Sequence, residues 1–189
     1  MLTGEESALT EHLDRDELVE LMSRYASMPD TRNWDELPRS VFCEEFTADF
    51  SSLGAPVTTL SRDLWCQRSK QAFAGWVATH HAITNHRITI DGNRATIRAH
   101  VRVEHWAPAE VAAGGPNCWL VVGFYDNVAV RTPDGWRLSS VTLTVNYQEN
   151  QALLAASRAA GRTDTLDPMG SVVRQDRVHV QVRQRRAAG

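Results

Sequence analysis

The second half of the chain is dominated by runs in which apolar and polar residues alternate. Because successive side chains of a strand point to opposite faces, this pattern predicts β-strands. Asp91-Gly92-Asn93 lies between two such runs and predicts the tight turn of a hairpin. The second run places one set of side chains on a single face: Ala95, Ile97, Ala99, Val101, Val103 and His105. His105 is therefore expected on an apolar face, where an imidazole needs a partner or performs chemistry, with His81 folded back toward it.

The first half carries apolar residues at helical spacing, which predicts helices. The clearest set comprises Leu18, Leu21, Met22 and Tyr25. We predict that this helix begins at Asp14 or Asp16, whose side chains can cap it. Pro29 is expected to interrupt the helix near its end, because proline lacks an amide hydrogen. A second helix is expected to start at Asn33.

The remaining segments complete an α+β pattern. A third helix is predicted from Ser61 to about Thr79, and a terminal helix over residues 149–160. Further strands are predicted at residues 45–51, 117–131 and 136–147. Helices segregated to one face of a strongly curved antiparallel or mixed sheet would enclose a pocket.

One folded domain is expected over residues 14–160, because a chain of 189 residues is long enough for a single core of useful size. Residues 1–13 are interpreted as a loosely held N-terminal arm. Residues 161–189 are interpreted as a C-terminal extension that either stays mobile or adds a strand.

The bulk composition excludes several classes of function. The formal net charge is -3, which gives no general attraction to nucleic acid. No apolar run approaches the roughly 20 residues of a membrane span, and the acidic N-terminus lacks the pattern of a secretory signal. Cys43, Cys66 and Cys118 have neither zinc-binding nor disulfide spacing. We therefore expect a cytoplasmic protein that has no nucleic-acid or membrane partner.

Three motifs in the sheet region carry a resemblance to a known family. They are Thr79-His-His-x3-Asn85, Val101-Arg-Val-Glu-His105-Trp and Asp134-Gly-Trp-Arg-Leu138. Over about residues 14–155, the chain resembles the SnoaL-like proteins of the nuclear-transport-factor-2-like superfamily. The resemblance implies a cone-shaped α+β barrel that encloses a pocket.

Within that superfamily, the spacing of the polar residues is similar to that of scytalone dehydratase. The resemblance implies that Asp30 orients His81, that His81 transfers protons, and that His105 is the second histidine of the pocket. Two tyrosines of that enzyme's site are replaced here, one by Pro29 and the other by Phe50.

Four residues are candidates for substrate binding: Tyr25, Phe50, Trp119 and Asn146. Tyr25 lies about one helical turn before Asp30, so its phenol could replace a missing tyrosine. Asn146 is expected to reach the pocket from the last strand.

An aspartate–histidine pair in a water-poor pocket is suited to moving protons. The carboxylate accepts one imidazole N–H and stabilises the imidazolium, while the other ring nitrogen acts first as base and then as acid. We expect a lyase or isomerase of the dehydratase or cyclase type, acting without a cofactor on a hydrophobic polyketide-like or polycyclic small molecule in secondary metabolism. Because superfamily members commonly pair through the outer sheet face, we also expect a homodimer.

Three alternatives remain open. An epoxide hydrolase of the same fold uses an Asp–Arg–Asp arrangement, which here requires one of three arginines to turn inward: Arg32, Arg87 or Arg98. A ligand-binding module, or the small subunit of a ring-hydroxylating dioxygenase, requires no catalytic residues in the pocket. Asp30, His81 and His105 also have the composition of a metal-binding facial triad, although the resemblance implies metal-free chemistry.

Overall fold

The structure is a computed structural model that describes residues 4–163. Its helices are α1 (Gly4–Thr31), α2 (Leu37–Val41), α3 (Arg62–Phe73) and α4 (Ala152–Thr163). Its strands are β1 (Phe42–Asp49), β2 (Thr58–Ser61), β3 (Ala78–Asp91), β4 (Arg94–Trp106), β5 (Cys118–Thr132) and β6 (Gly135–Glu149). Among residues 4–163, no helix combines the length and the apolar character that crossing a lipid bilayer requires.

The six strands form one mixed sheet in the order β2-β1-β6-β5-β4-β3. Strands β1 and β6 run parallel, whereas all other neighbours run antiparallel. Helix α1 packs against β3 and β6, and α3 packs against β1 and β2. The apolar core includes Leu18, Phe42, Phe46, Trp136 and Leu138. The predicted α+β class, with N-terminal helices packed on a mixed sheet in a cone-shaped barrel, is confirmed.

The β3–β4 hairpin has the predicted faces. Every second residue of β4, from Ala95 to His105, is buried. In the register of the hairpin, Thr79 lies opposite His105 and His81 lies opposite Val103. Because opposing residues of an antiparallel pair share a face, the side chains of Thr79, His81 and His105 all point to the inner side of the sheet.

A bulge in β3 allows both halves of this strand to face the core. The register shifts between Thr84 and Arg87, and Asn85 adopts a left-handed conformation with φ 57°. Asparagine tolerates that conformation better than most residues do. Because an extra residue reverses which side chains point inward, His81 before the bulge and Ile88 after it both lie on the inner face.

Helix α1 is longer than predicted. It begins at Gly4, so residues 4–13, predicted as an N-terminal arm, form exposed helical turns. The prediction of a cap at Asp14 or Asp16 was wrong. The carboxylate of Asp14 instead accepts hydrogen bonds from Arg131 Nη1 at 2.7 Å and from Trp136 Nε1 at 3.2 Å. Asp14 therefore joins the helix to the β5–β6 hairpin.

Helix α3 is shorter than predicted. Ser61 caps its start by accepting the Leu64 amide, but the helix ends at Phe73 and β3 begins at Ala78. Residues 74–77 turn at Gly75, where α4 approaches so closely that an added Cβ would lie 1.9 Å from the Ser157 carbonyl oxygen. The chain therefore turns where a glycine allows close packing against α4.

Three further elements differ from the predictions. Helix α2 begins at Leu37, because Asn33 Oδ1 accepts the Glu36 amide in a separate turn before it. The short strand β2 was not predicted. Helix α4 continues to Thr163, so the predicted boundary at residue 161 falls within a helix. Residues 164–189 of the predicted extension lie outside the described residues.

Candidate active site

The carboxylate of Asp30, near the end of α1, is bonded to the start of β3. Asp30 Oδ1 accepts a hydrogen bond from His81 Nδ1 at 2.6 Å, and Oδ2 accepts the His81 backbone amide at 2.7 Å. The Thr79 hydroxyl donates to Oδ1 at 2.9 Å. Two of these bonds come from the same histidine, so the carboxylate fixes both the backbone and the ring of His81.

The polypeptide around Asp30 is held by Arg32. This residue adopts a left-handed conformation with φ 59°, directly after α1 ends at Thr31. Its guanidinium donates to the Thr79 hydroxyl and to the Trp76 carbonyl, each at 3.1 Å, and also to the Pro29 carbonyl. Arg32 therefore ties the end of α1 to the start of β3, and its guanidinium also lies over the Phe73 ring at 5.4 Å.

The ring of His81 borders a cavity of about 380 Å³ between the helices and the inner face of the sheet. This volume lies at the lower end of the roughly 300–1,000 Å³ that is typical of small-molecule sites. Aromatic rings make up much of its wall, including Phe50, Phe73, Trp76 and Trp119. The cavity therefore suits a compact, largely apolar ring system.

Burial and hydrogen bonding act in opposite directions on Asp30. Burial raises the pKa of this carboxyl, but the hydrogen bond and the charge of the His81 ring, the His81 amide and Thr79 lower the pKa more. The net pKa lies below its ordinary value, so Asp30 is ionised at neutral pH. An ionised carboxylate accepts the proton of His81 Nδ1, which leaves Nε2 with a free lone pair.

The second histidine lies close to the first. The ring centroids of His81 and His105 are 5.8 Å apart, and His105 stacks on Trp119 at 4.5 Å. Burial, together with the charge of His81, lowers the pKa of His105 to about 3. No side chain or backbone group among residues 4–163 satisfies its buried Nδ1. His105 is thus a neutral imidazole at physiological pH.

Two phenols meet on another side of the cavity. The Tyr25 and Tyr125 hydroxyl oxygens are 3.5 Å apart, and both residues line the cavity. Burial raises the pKa of Tyr25 well above its ordinary value and that of Tyr125 to about 12. Both hydroxyls therefore remain protonated donors.

The predicted substrate-binding residues occupy different places. Tyr25, Phe50 and Trp119 line the cavity. Asn146 does not join them, because it lies in a groove on the outer face of the sheet, beside His100. A bulge explains the difference: Val122 pairs with Tyr147 and Gly123 pairs with Val145, so Asn146 is the extra residue.

The sequence did not predict the roles of three contributors to the site. Tyr125 was not among the predicted site residues, although its partner Ala99 lies on the inner face of β4 and strand register places both together. The contacts of Thr79 and Arg32 had no local signal, because they join segments that are distant in the sequence. Among residues 4–163, no three His, Cys, Asp or Glu side chains are grouped as metal ligands.

Comparisons with known proteins agree with this architecture. Residues 10–142 match the family described as the SnoaL-like domain. An uncharacterized protein of Mycobacterium tuberculosis is 32% identical over 143 residues, which cover 75% of this chain and 92% of that protein. The crystal structure of a Kribbella flavida protein is 53% identical, covers 77% of this chain and 99% of its own, and has a TM-score of 0.76. The resemblance predicted from the motifs is confirmed.

More distant structures share the fold alone. A provisionally named scytalone dehydratase from Novosphingobium aromaticivorans is 17% identical, with a TM-score of 0.64 and coverage of 76% of this chain and 91% of that one. A hexachlorocyclohexane dehydrochlorinase from Novosphingobium barchaimii is 16% identical, with a TM-score of 0.62 and coverage of 75% and 92%.

Proposed function

Because the chain belongs to the SnoaL-like family, we propose that it is a cofactor-independent lyase or isomerase of the dehydratase or cyclase type. Its substrate is a hydrophobic polycyclic or polyketide-like small molecule. The observation that carries this proposal is the 2.6 Å hydrogen bond between Asp30 Oδ1 and His81 Nδ1, on a ring that borders an apolar cavity.

The reaction begins when His81 Nε2 removes a proton from a carbon next to the substrate carbonyl. In an elimination, the electron pair of that C–H bond forms a carbon–carbon double bond as the C–O bond to a neighbouring hydroxyl breaks. The imidazolium returns its proton to the departing hydroxide, and water leaves. Asp30 stabilises the imidazolium between these steps. In a ring closure, removal of the proton instead gives an enolate, whose carbon forms a bond to a second carbonyl carbon of the molecule. The π bond of that carbonyl breaks, and the resulting alkoxide takes the proton from the imidazolium.

Negative charge develops on the carbonyl oxygen of the substrate. Hydrogen-bond donors other than His81 are required to stabilise this charge. His105 is neutral and lies beside His81, and its buried Nδ1 has no partner among residues 4–163, so we assign its imidazole as one such donor. On the cavity wall the Tyr25 hydroxyl donates to the Tyr125 hydroxyl, which leaves the proton of Tyr125 as a second donor for the substrate. The tyrosines that the resemblance to scytalone dehydratase leads one to expect are thus replaced by phenols from other positions.

Two observations favour elimination or ring closure over epoxide opening. The guanidinium of Arg32 is directed at Pro29, Thr79 and Trp76 rather than at the cavity. Asp30 lies behind His81 and accepts its ring proton, so Asp30 is not placed to activate water directly. Distant relatives of the fold named as a dehydratase and a dehydrochlorinase add support for elimination.

Exchange of carbon-bound hydrogen tests the proton transfer without knowledge of the natural product. 2-Tetralone, a bicyclic ketone, is incubated with the protein in deuterated water, and the loss of its α-proton signals is followed by NMR. We expect the wild type to catalyse exchange and His81→Gln to lower the rate at least 100-fold, within the roughly 10²–10⁴-fold contribution of a general base.

His80→Gln is the matched control, because His80 is the exposed neighbour of His81 in the same strand. This variant should exchange at the wild-type rate. Equal rates for His81→Gln and wild type, with circular dichroism unchanged, would refute the proposal. Binding of 2-tetralone without exchange by the wild type would favour the ligand-binding alternative.

A further inference from the structure

Two arginines line the cavity together with its apolar wall. Arg68 comes from α3 and Arg158 from α4. Among the described residues that line the cavity, none is an aspartate or a glutamate. The described lining thus contains two guanidinium groups and no carboxylate, although the chain as a whole has a formal net charge of -3.

The other charged groups of α3 have acidic partners. Lys70 Nζ lies 2.7 Å from Asp35 Oδ1, and Arg62 Nε lies 3.9 Å from Asp63 Oδ1. Arg68 has no ion pair with the described side chains. Its guanidinium is thus available to a ligand in the cavity.

The positions of both arginines relative to His81 are set by the backbone. Arg68 precedes Phe73 by five residues, or about 7.5 Å along α3, and the Phe73 ring lies 6.3 Å from that of His81. Arg158 follows Ser157, whose carbonyl packs on Gly75 in the turn after α3. Both arginines therefore line the cavity from α3 and α4, whereas His81 lines it from β3.

We propose that the substrate carries a carboxylate, which binds Arg68 and Arg158 while its reacting carbon lies beside His81. This inference rests on the proposed function, because it places the reacting carbon at His81 as the base. The anionic group orients the ring system in the cavity, and charge-assisted hydrogen bonds to guanidinium make that contact stronger than contacts between neutral groups.

Binding of two matched probes tests the inference separately from catalysis. One probe is a 1-tetralone that carries a carboxylate at the far end of its aromatic ring, and the other is its methyl ester. Dissociation constants are measured by calorimetry for the wild type and for His81→Gln. We expect both proteins to bind the acid about 10-fold more tightly than the ester. Raising the salt concentration should narrow this preference.

Arg68→Gln and Arg158→Gln should each weaken binding of the acid about 5-fold and leave binding of the ester unchanged. Lys70→Gln removes the same charge from the same helix outside the cavity lining and should change neither constant. The inference is overturned if acid and ester bind equally, or if Lys70→Gln reduces the preference as much as Arg68→Gln does. Loss of exchange in His81→Gln with no preference for the acid would leave the proposed function supported and this inference refuted.

Discussion

Helix α1 carries two aspartates that bond to the sheet at places about 24 Å apart along the helix axis. Asp14 accepts from Arg131 and from the indole of Trp136, and Asp30 accepts from His81 and Thr79. Asp14 has a guanidinium partner that stays charged at every accessible pH and that stacks on Trp136 at 4.4 Å. Asp30 has a partner that can gain and lose a proton.

The difference shows how one residue type can serve either structure or chemistry. The Arg131 guanidinium lowers the pKa of Asp14 and holds a permanent ion pair between α1 and the β5–β6 hairpin. The hydrogen bonds of Asp30 hold an imidazole whose other nitrogen is left for the cavity. A titratable partner at a cavity wall, rather than the carboxylate itself, marks the candidate active site.

Removing the charge of Asp30 should have the largest effect. In Asp30→Asn, the amide no longer stabilises an imidazolium at His81, so exchange of 2-tetralone should fall about 100-fold with little change in its binding. NMR exchange rates and calorimetric dissociation constants measure the two quantities. A variant that exchanges at more than half the wild-type rate would contradict the assigned role.

The corresponding change at Asp14 should affect stability alone. Asp14→Asn weakens the contact with Arg131 and should lower the free energy of unfolding by about 1 kcal/mol, because the buried carboxylate loses its charge while its half-buried guanidinium partner remains partly in water. Urea denaturation measures the loss, and the exchange rate should stay at the wild-type value. A large loss of exchange at unchanged stability would mean that the two aspartates do not differ as described.

The stability of the protein in mild acid tests the protonation state of His105. The depressed pKa of His105 means that the unfolded chain binds a proton below about pH 6.5 while the folded chain does not, so stability falls as pH falls toward 3. From pH 6.5 to 5.5 the loss should be about 1 kcal/mol. Asp14 and Asp30 do not contribute to the loss of stability between pH 6.5 and 5.5, because the pKa of each lies below its ordinary value.

His105→Phe is the variant that isolates this effect. Burial also lowers the pKa of His86, which adds a loss of the same sign in both proteins. The free energy of unfolding is therefore compared between pH 6.5 and 5.5 in the two proteins. The extra loss in the wild type is the contribution of His105. Urea denaturation measures both free energies. An equal loss in the wild type and in His105→Phe would show that His105 is not a buried neutral imidazole.

The phenol pair should give the smallest effect. Tyr125→Phe removes one hydroxyl, but Tyr25 and His105 remain as donors. We expect exchange of 2-tetralone to fall about 3–5-fold, which is less than the loss of a sole oxyanion donor would cost. Phe124→Leu, on the outer face of the same strand, is the control. An unchanged rate for Tyr125→Phe would remove the phenols from the mechanism.

Much of the fold and part of the site could be predicted from local patterns. The faces of β4 follow from strict alternation, and the turn at Gly92 follows from its neighbours. Asp30, His81 and His105 were found by motif spacing, and the structure brings them together. The start of α1 could not be predicted, because residues 4–13 are exposed and their two leucines, Leu9 and Leu13, do not reach the core.

The remaining differences depend on long-range contacts. The inward side of a strand reverses at a bulge, and no alternation in the sequence marks the one at Asn146. Thr79 and Arg32 act through bonds between the end of α1 and the start of β3, which exist only in the folded chain. Such contacts become visible once the register of the sheet is known.

The tautomer of His81 is the most direct test of the claim that Asp30 prepares this ring as a base. Nitrogen-15 NMR of labelled histidine at neutral pH distinguishes Nδ1–H from Nε2–H in the wild type and in Asp30→Asn. We expect the wild-type ring to be protonated at Nδ1, with Nε2 free, and the variant to lose this preference. A wild-type ring protonated at Nε2, or a tautomer that Asp30→Asn leaves unchanged, would contradict the account.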